Sequence, residues 1–383
     1  MSERALYLDY AATTPVDERV VQAMLSCLGR DGDFGNPASS HAHGRSAREA
    51  VELARRQVGE LVGARAEQLV WTSGATESNN LAIKGLADSA PPGRKHIITS
   101  CLEHKAVLDT AQFLEQRGFE VTRLTPDAHG LIQPDAVRQA LREDTLLVSL
   151  MWVNNELGTL TDIPAIAELL RGRDVLLHVD AAQAAGKVRI DLASLGVDLM
   201  SFSAHKLYGP KGIGALYVSD RARPALRAQM HGGGHEGGLR SGTLPGHQIV
   251  GMGAAFALAT VEMESENLRI EQLANSLRDG LLALPDVKLN GSTGQRIAHT
   301  LNLCIDHPGF NPASLDGQLS LSSTSACNAG SQAASHVLLS LGLSERQARS
   351  SLRISLGRYT RMEDVERAVR VISEALKAPT PFW

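Results

Sequence analysis

Three short stretches combine residue types at spacings that chemistry requires. Thr72-Ser73-Gly74-Ala75-Thr76-Glu77-Ser78-Asn79-Asn80 places small and hydroxyl residues directly after an apolar run and at the start of a helical pattern. Such a turn offers free backbone N–H groups and a helix dipole to an anion, ideally a phosphate. An ordinary N-cap by Ser73 or Thr76 is the alternative, since the stretch lacks both the lysine of a P-loop and a GxGxxG. Asp180, in Asp180-Ala181-Ala182-Gln183, follows the apolar run 175–179. It therefore stands at the carboxyl end of a strand, where open α/β sheets bind ligands; a helix-capping Asp is the alternative. Lys206, in Ser203-Ala204-His205-Lys206, is followed by Gly209-Pro210-Lys211-Gly212 and so lies in a stiff turn just past a strand. A buried lysine has a lowered pKa and attacks carbonyls, although most lysines are merely solvated. An anion cradle, a carboxylate and an amine, all at strand ends, are the parts a pyridoxal-phosphate enzyme needs for phosphate, pyridine nitrogen and aldehyde.

These residues need a sheet to hold them. Runs of β-branched or apolar residues at 68–72, 96–99, 146–153, 175–179, 198–203 and 213–218 alternate with amphipathic stretches such as 163–170. That is the pattern of βα units around a mostly parallel sheet. Residues 41–62 carry Ala47, Val51, Ala54, Val58 and Leu61 at helical spacing and predict one helix. After the glycine-rich stretch 231–246 come two predicted helices, 249–263 and 268–284, and an alternating run ending at 301–305. The expected fold class is α/β, with a large domain over 15–255 and a smaller α+β domain from 1–14 and 256–383. The 383 residues accommodate two domains at about 150 residues each.

Charge and cysteine spacing exclude several roles. Lys and Arg number 38 against 42 Asp and Glu, a net charge of −4, so no basic field holds a nucleic-acid backbone or an anionic membrane. No run approaches the ~18 apolar residues of a membrane span, and Glu3, Arg4 and Asp9 interrupt the apolar core a signal peptide needs. A cytoplasmic protein is expected, with neither nucleic acid nor membrane as a direct partner. Cys27, Cys101, Cys304 and Cys327 form no CxxC pair and no zinc-ligand spacing, so the expectation is reduced thiols and no metal. Cys304 sits among Leu and Ile like a structural thiol. Cys327, in Ser325-Ala326-Cys327-Asn328-Ala329-Gly330, sits among small and polar residues, as a nucleophile that must move would.

The chain resembles the cysteine desulfurases of the NifS/IscS type, within the class V aminotransferase-like, fold-type I pyridoxal-phosphate enzymes. The resemblance rests on Tyr7-Leu-Asp-Tyr-Ala-Ala-Thr-Thr-Pro15, Thr72 to Gly85, Glu103-His104, Asn154-Asn155-Glu156, Asp180 to Gln183, Ser203 to Lys206, Arg240-Ser-Gly-Thr-Leu-Pro245 and Ser351 to Arg358. It implies pyridoxal 5'-phosphate as cofactor. Lys206 would bind its aldehyde and later move the substrate Cα proton. Ala75, Thr76, Ser203 and His205 would hold the phosphate, joined by Thr243 from a second subunit of a homodimer. Asp180 would keep the pyridine nitrogen protonated, Gln183 would bond the ring hydroxyl, and His104 would stack on the ring as acid or base. Arg353, assisted by Asn155 and Asn36, would clamp the α-carboxylate of L-cysteine. Cys327 would take the sulfur as a persulfide and pass it to a scaffold or relay protein. The resemblance leaves two alternatives, a thiol-independent lyase or aminotransferase acting on selenocysteine or cysteine sulfinate, and an inactive cofactor-binding adaptor. Thr324 stands where such sequences usually have glycine.

Overall fold

The computed structural model describes residues 5–322 and 334–377. Its strands are β1 (Leu6–Tyr7), β2 (Leu69–Thr72), β3 (His96–Ser100), β4 (Glu120–Leu124), β5 (Thr145–Met151), β6 (Leu176–Asp180), β7 (Leu199–Ser203), β8 (Gly214–Val218), β9 (Val287–Leu289), β10 (Thr300–Ile305), β11 (Leu319–Ser320) and β12 (Ser351–Ser355). β2 to β8 form one seven-stranded sheet in the order β2-β8-β7-β6-β5-β3-β4. Five strands, β7, β6, β5, β3 and β4, are parallel, and β8 runs antiparallel to both β7 and β2. Central strands such as β5 are buried along their whole length, which is why they read as continuous apolar runs and not as alternating ones.

Two sequence expectations are corrected. The sheet edge β4 was not predicted; its text, Glu-Val-Thr-Arg-Leu, carries charges because an edge strand meets solvent. The two helices expected at 249–263 and 268–284 are one continuous helix of 37 residues, Gly246–Leu282. Glu264 to Asn267 contain no Gly or Pro to stop a helix. The apolar face shifts there because the helix passes from one core to another. Ile249, Met252, Phe256 and Ala259 pack with the large sheet, whereas Ile270, Leu273, Leu277 and Leu281 join a separate cluster. That second cluster lies against the antiparallel sheet β12-β10-β9 and the helix Met362–Lys377.

The N-terminal segment ties the two regions together. β1 pairs in parallel with β11, Asp9 bridges to Ser355, and Ala11 N donates to Ser355 Oγ at 2.9 Å. The chain then crosses the large sheet, where the Thr14 hydroxyl donates to His205 O at 3.1 Å and accepts from Tyr208 N at 2.8 Å.

Candidate active site

A cavity of about 560 Å³ opens at the carboxyl ends of β5, β6 and β7, lined by Met151, Asp180 and Ser203 among others, the edge at which open α/β sheets bind ligands. One end of it is an anion cradle. β2 ends at Thr72, and the helix Ala75–Ala87 starts after Gly74, which is its N-cap and supplies no side-chain bond. Neither Ser73 nor Thr76 caps the helix. The Ser73 N–H goes instead to Glu77 Oε2 at 2.7 Å, and Arg240 Nε fixes Glu77 Oε1 from the other side at 2.8 Å. Gly74 has φ +151°, a conformation side chains rarely adopt. Gly214 on β8 must also be glycine, because a Cβ there would lie 2.4 Å from Phe202 O and 2.7 Å from the Gly74 Cα. Across from the helix start, the buried Ser203 Oγ has no hydrogen-bond partner. Burial, with the charges of Lys206 and Lys211 adding, pushes the His205 ring down to about 4, so it is neutral. An uncapped helix start facing an unsatisfied buried hydroxyl fits the phosphate of the implied cofactor.

Asp180 ends β6 and is buried. Asn79 Nδ2 donates to its Oδ2 at 2.7 Å and Ala182 N to its Oδ1 at 3.0 Å. Neither neighbouring titratable group neutralises it. His178, bonded to Ser149 at 2.8 Å and Ser201 at 2.9 Å, is pushed down to about 4 by burial. Glu103 is pushed up to about 8, by burial first, despite the 2.6 Å bond it accepts from Ser100 Oγ, and is therefore protonated at neutral pH. A buried carboxylate at a strand end, with its two oxygens held by Asn79 and Ala182, suits a protonated pyridine nitrogen.

Lys206 closes the short turn Ala204–Lys206 after β7. Its Nζ donates to Ala11 O at 2.6 Å and Ala12 O at 2.7 Å. Gln183 Nε2 also donates to Ala11 O, at 2.8 Å. The turn is stiff for identifiable reasons: Tyr208 sits at φ +58°, and a Cβ on Gly209 would meet Ala204 O at 2.9 Å.

Arg353 reaches the cavity from β12 and is only 2 % exposed. Its Nη1 donates to the Asn155 carbonyl at 2.9 Å, so the expected partnership with Asn155 runs through backbone. Its Nη2 donates to Asp9 Oδ1 at 2.8 Å and Ser322 Oγ at 3.0 Å, while the buried Nε has no partner. Three of the five guanidinium N–H groups are thus engaged and two, on Nε and Nη1, are left over, the posture of a carboxylate clamp. His104 caps the helix Lys105–Glu115, and its Nδ1 accepts the Ala106 N–H at 3.1 Å. The neutral ring therefore carries its proton on Nε2.

Ala75, Thr76, His104, Asn155, Asp180, Gln183, Ser203, His205, Lys206 and Arg353 thus line one cavity. Asn36 and Thr243 do not; they share a separate one of about 230 Å³ with Cys27 and Phe34. Cys327 lies outside the described residues. Burial raises the thiol pKa of the three described cysteines, Cys27, Cys101 and Cys304, and none of them lines the main cavity. Sequence reasoning gave no role to Asp9, Asn79 or Lys187. Asp9 stood in a quoted motif, but its pairing with Arg353 spans 344 residues and has no local signal. Among the described residues no group of three or more His, Cys, Asp or Glu could hold a metal, and no helix is long and apolar enough to cross a membrane.

The chain is similar to known proteins over nearly its whole length. The family model described as aminotransferase class-V matches residues 6–368. A cysteine desulfurase IscS from Azotobacter vinelandii is 56% identical over 383 residues, covering 99% of this chain and 95% of the relative. A solved NifS-like protein superposes with a TM-score of 0.90 at 34% identity, over 98% of this chain and 100% of its own. A structure described as SspA in complex with cysteine gives a TM-score of 0.83 at 39% identity, over 94% and 100%.

Proposed function

The chain belongs to the class-V aminotransferases and, within them, to the pyridoxal-phosphate-dependent cysteine desulfurases, and from that premise we propose how its residues divide the work. The observation that carries the reading is the convergence of Lys206, Asp180 and Arg353, from three separate elements, on one cavity with an anion cradle at its end. Ala75, Thr76, Ser203 and His205 hold the phosphate, Asp180 the pyridine nitrogen, Gln183 the ring oxygen and Lys206 the aldehyde. When bound, the cofactor supplies an electron sink for the carbon from which sulfur leaves.

The remaining steps belong to this chain. Arg353 fixes the α-carboxylate of L-cysteine through the N–H groups that its protein partners leave over. Lys206 Nζ takes the Cα proton. His104 offers the proton on Nε2 and so gives before it takes. The Cys327 thiolate attacks the substrate sulfur, the C–S bond breaks and its electron pair stays with carbon. The net change is L-cysteine and a Cys327 thiol to L-alanine and a Cys327 persulfide, which balances without an added oxidant. The persulfide then passes to a protein acceptor in the cytoplasm. The chain works as a homodimer in which Thr243 reaches the partner's phosphate site, a reading supported by the position of Thr243 away from its own cavity. It is organised as a cofactor domain over 15–255 and a smaller domain from 1–14 and 256–383, a division supported by the second apolar cluster, whose members all lie in the smaller domain, although Phe256, Ala259, Ile297, Val337, Leu338 and Ala348 pack with the large sheet.

The test is mass spectrometry of the protein after L-cysteine alone. A one-sulfur mass increase on the peptide containing Cys327, absent in Cys327→Ala together with alanine formation, is expected. Alanine formation at the wild-type rate in Cys327→Ala would instead establish a thiol-independent lyase.

A further inference from the structure

Lys187 has no part in the assignments above, yet it reaches the cofactor site from behind. Its backbone is fixed by two bonds: its N–H to Ala184 O at 2.9 Å and its carbonyl to Asn267 Nδ2 at 3.0 Å. Its side chain runs between a second cavity of about 370 Å³ and a small gap of about 10 Å³ that it shares with Lys206, Tyr208 and His299. The Nζ donates to Gln183 Oε1 at 2.8 Å. On its other terminus Gln183 donates from Nε2 to Ala11 O at 2.8 Å.

These two contacts admit one orientation of the Gln183 amide. Flipping it would set Nε2 against the Lys187 Nζ and Oε1 against the Ala11 carbonyl, replacing two hydrogen bonds by two repulsions. An amide has two N–H groups on Nε2, and Ala11 takes one. The other belongs to a residue that lines the main cavity.

We propose that Lys187 is a positioning residue that locks Gln183 as a hydrogen-bond donor toward the ring oxygen of the cofactor. This rests on the cofactor placement argued under Proposed function. Donation to that oxygen favours its anionic form and lowers the proton affinity of the Lys206–cofactor linkage beside it. Lys187 faces the charges of Lys206, Arg353 and Glu266 and the ring of His299, which burial keeps neutral. Burial, then the charge of Lys206, push its own ammonium down to about 7. A neutral amine still offers an N–H to Oε1, and the Ala11 carbonyl still opposes a flipped amide, so the orientation persists through that titration.

The experiment is a spectrophotometric pH titration of the cofactor chromophore in the holoenzyme and four variants: Lys187→Met, Lys187→Arg, Gln183→Leu and the double variant Lys187→Met with Gln183→Leu. Lys187→Met is expected to raise the chromophore pKa by about one unit, a tenfold rise in proton affinity. Lys187→Arg, which retains a donor, is expected to stay near wild type. In the Gln183→Leu background, Lys187→Met is expected to cause no further shift, because the amide it orients is gone. Equal shifts in both backgrounds would show that Lys187 acts by its charge and overturn the proposal, as would an unshifted Lys187→Met. If Lys187→Met does not fold, Lys187→Gln, too short to reach Oε1, reads the same shift. Failure of the cofactor placement is distinguishable, since wild-type protein would then show no chromophore bound at Lys206.

Discussion

Replacing Asp9 by Asn should weaken the binding of the substrate carboxylate more than it slows the chemistry. Arg353 is 2 % exposed, and its other two acceptors, Asn155 O and Ser322 Oγ, are uncharged. Hydrogen bonds to charged groups are worth about 1.5–3 kcal/mol. Asn keeps one acceptor oxygen for Nη2, so about half of that is lost. The ~3–5 kcal/mol cost of breaking a fully buried pair is an upper bound for Asp9→Ala, since the Asp9 side chain is 17% exposed. A loss of about 0.8–1.5 kcal/mol corresponds to a ~4- to 13-fold rise in KM for L-cysteine, with kcat changed less than about threefold. An opposing effect exists, because removing an anion leaves Arg353 more positive toward an incoming carboxylate. Orientation should prevail, since Asp9 and Ser322 both engage Nη2 and so fix the plane of the guanidinium that lines the cavity. The assay is steady-state alanine formation with a thiol reductant, paired with inhibition by L-alanine, which carries the carboxylate without the thiol. Both constants should rise together. A KM that falls or stays unchanged would refute the reasoning and make Asp9 a competitor for Arg353, not its support.

Glu103→Gln should remove a pH dependence of stability. The folded carboxyl is raised to about 8, so folding takes up a proton between the unfolded value and about 8, and wild-type stability falls as pH rises through that window. The variant should match wild type near pH 4 and exceed it by a few kcal/mol above about pH 8; urea unfolding at the two pH values checks this, and a pH-independent difference would contradict it. Gly74→Ala meets open space but a φ of +151°, so its cost is backbone strain of about 1–3 kcal/mol. This strain falls on the phosphate cradle: cofactor Kd by equilibrium dialysis should rise by about 5-fold or more, while pyridoxal without phosphate should bind as in wild type.

What could be read from the sequence followed from locality. The runs at 175–179 and 198–203 became β6 and β7 with Asp180 and Ser203 at their ends, because a strand and the turn after it are written in consecutive residues. β4 was missed because solvent-facing Glu120 and Arg123 erase its apolar signature. The helix Gly246–Leu282 was divided because one helix serves two cores. In the site, Lys206, Asp180 and Arg353 carry motifs around them. The partners that orient side chains, Asn79 for Asp180 and Asp9 for Arg353, lie 101 and 344 residues away. Lys187 is only four residues from Gln183, yet nothing in the text distinguishes an inward-pointing lysine from a solvated one.

The seam formed by residues 6–14 has a consequence for the order in which the molecule is made. Ala11 and Ala12 carry the carbonyls that dock Lys206, yet this segment is anchored by Ser355, 344 residues further along. During synthesis the segment leaves the ribosome well before Ser355, the partner that anchors it. Closing so long a loop makes it a late step in folding. The large sheet can consolidate beforehand, but the segment beside Lys206 gains its Ser355 anchor only when that long loop has closed. The two carbonyls beside Lys206 are therefore among the last parts of the site to settle, although they precede it in the chain.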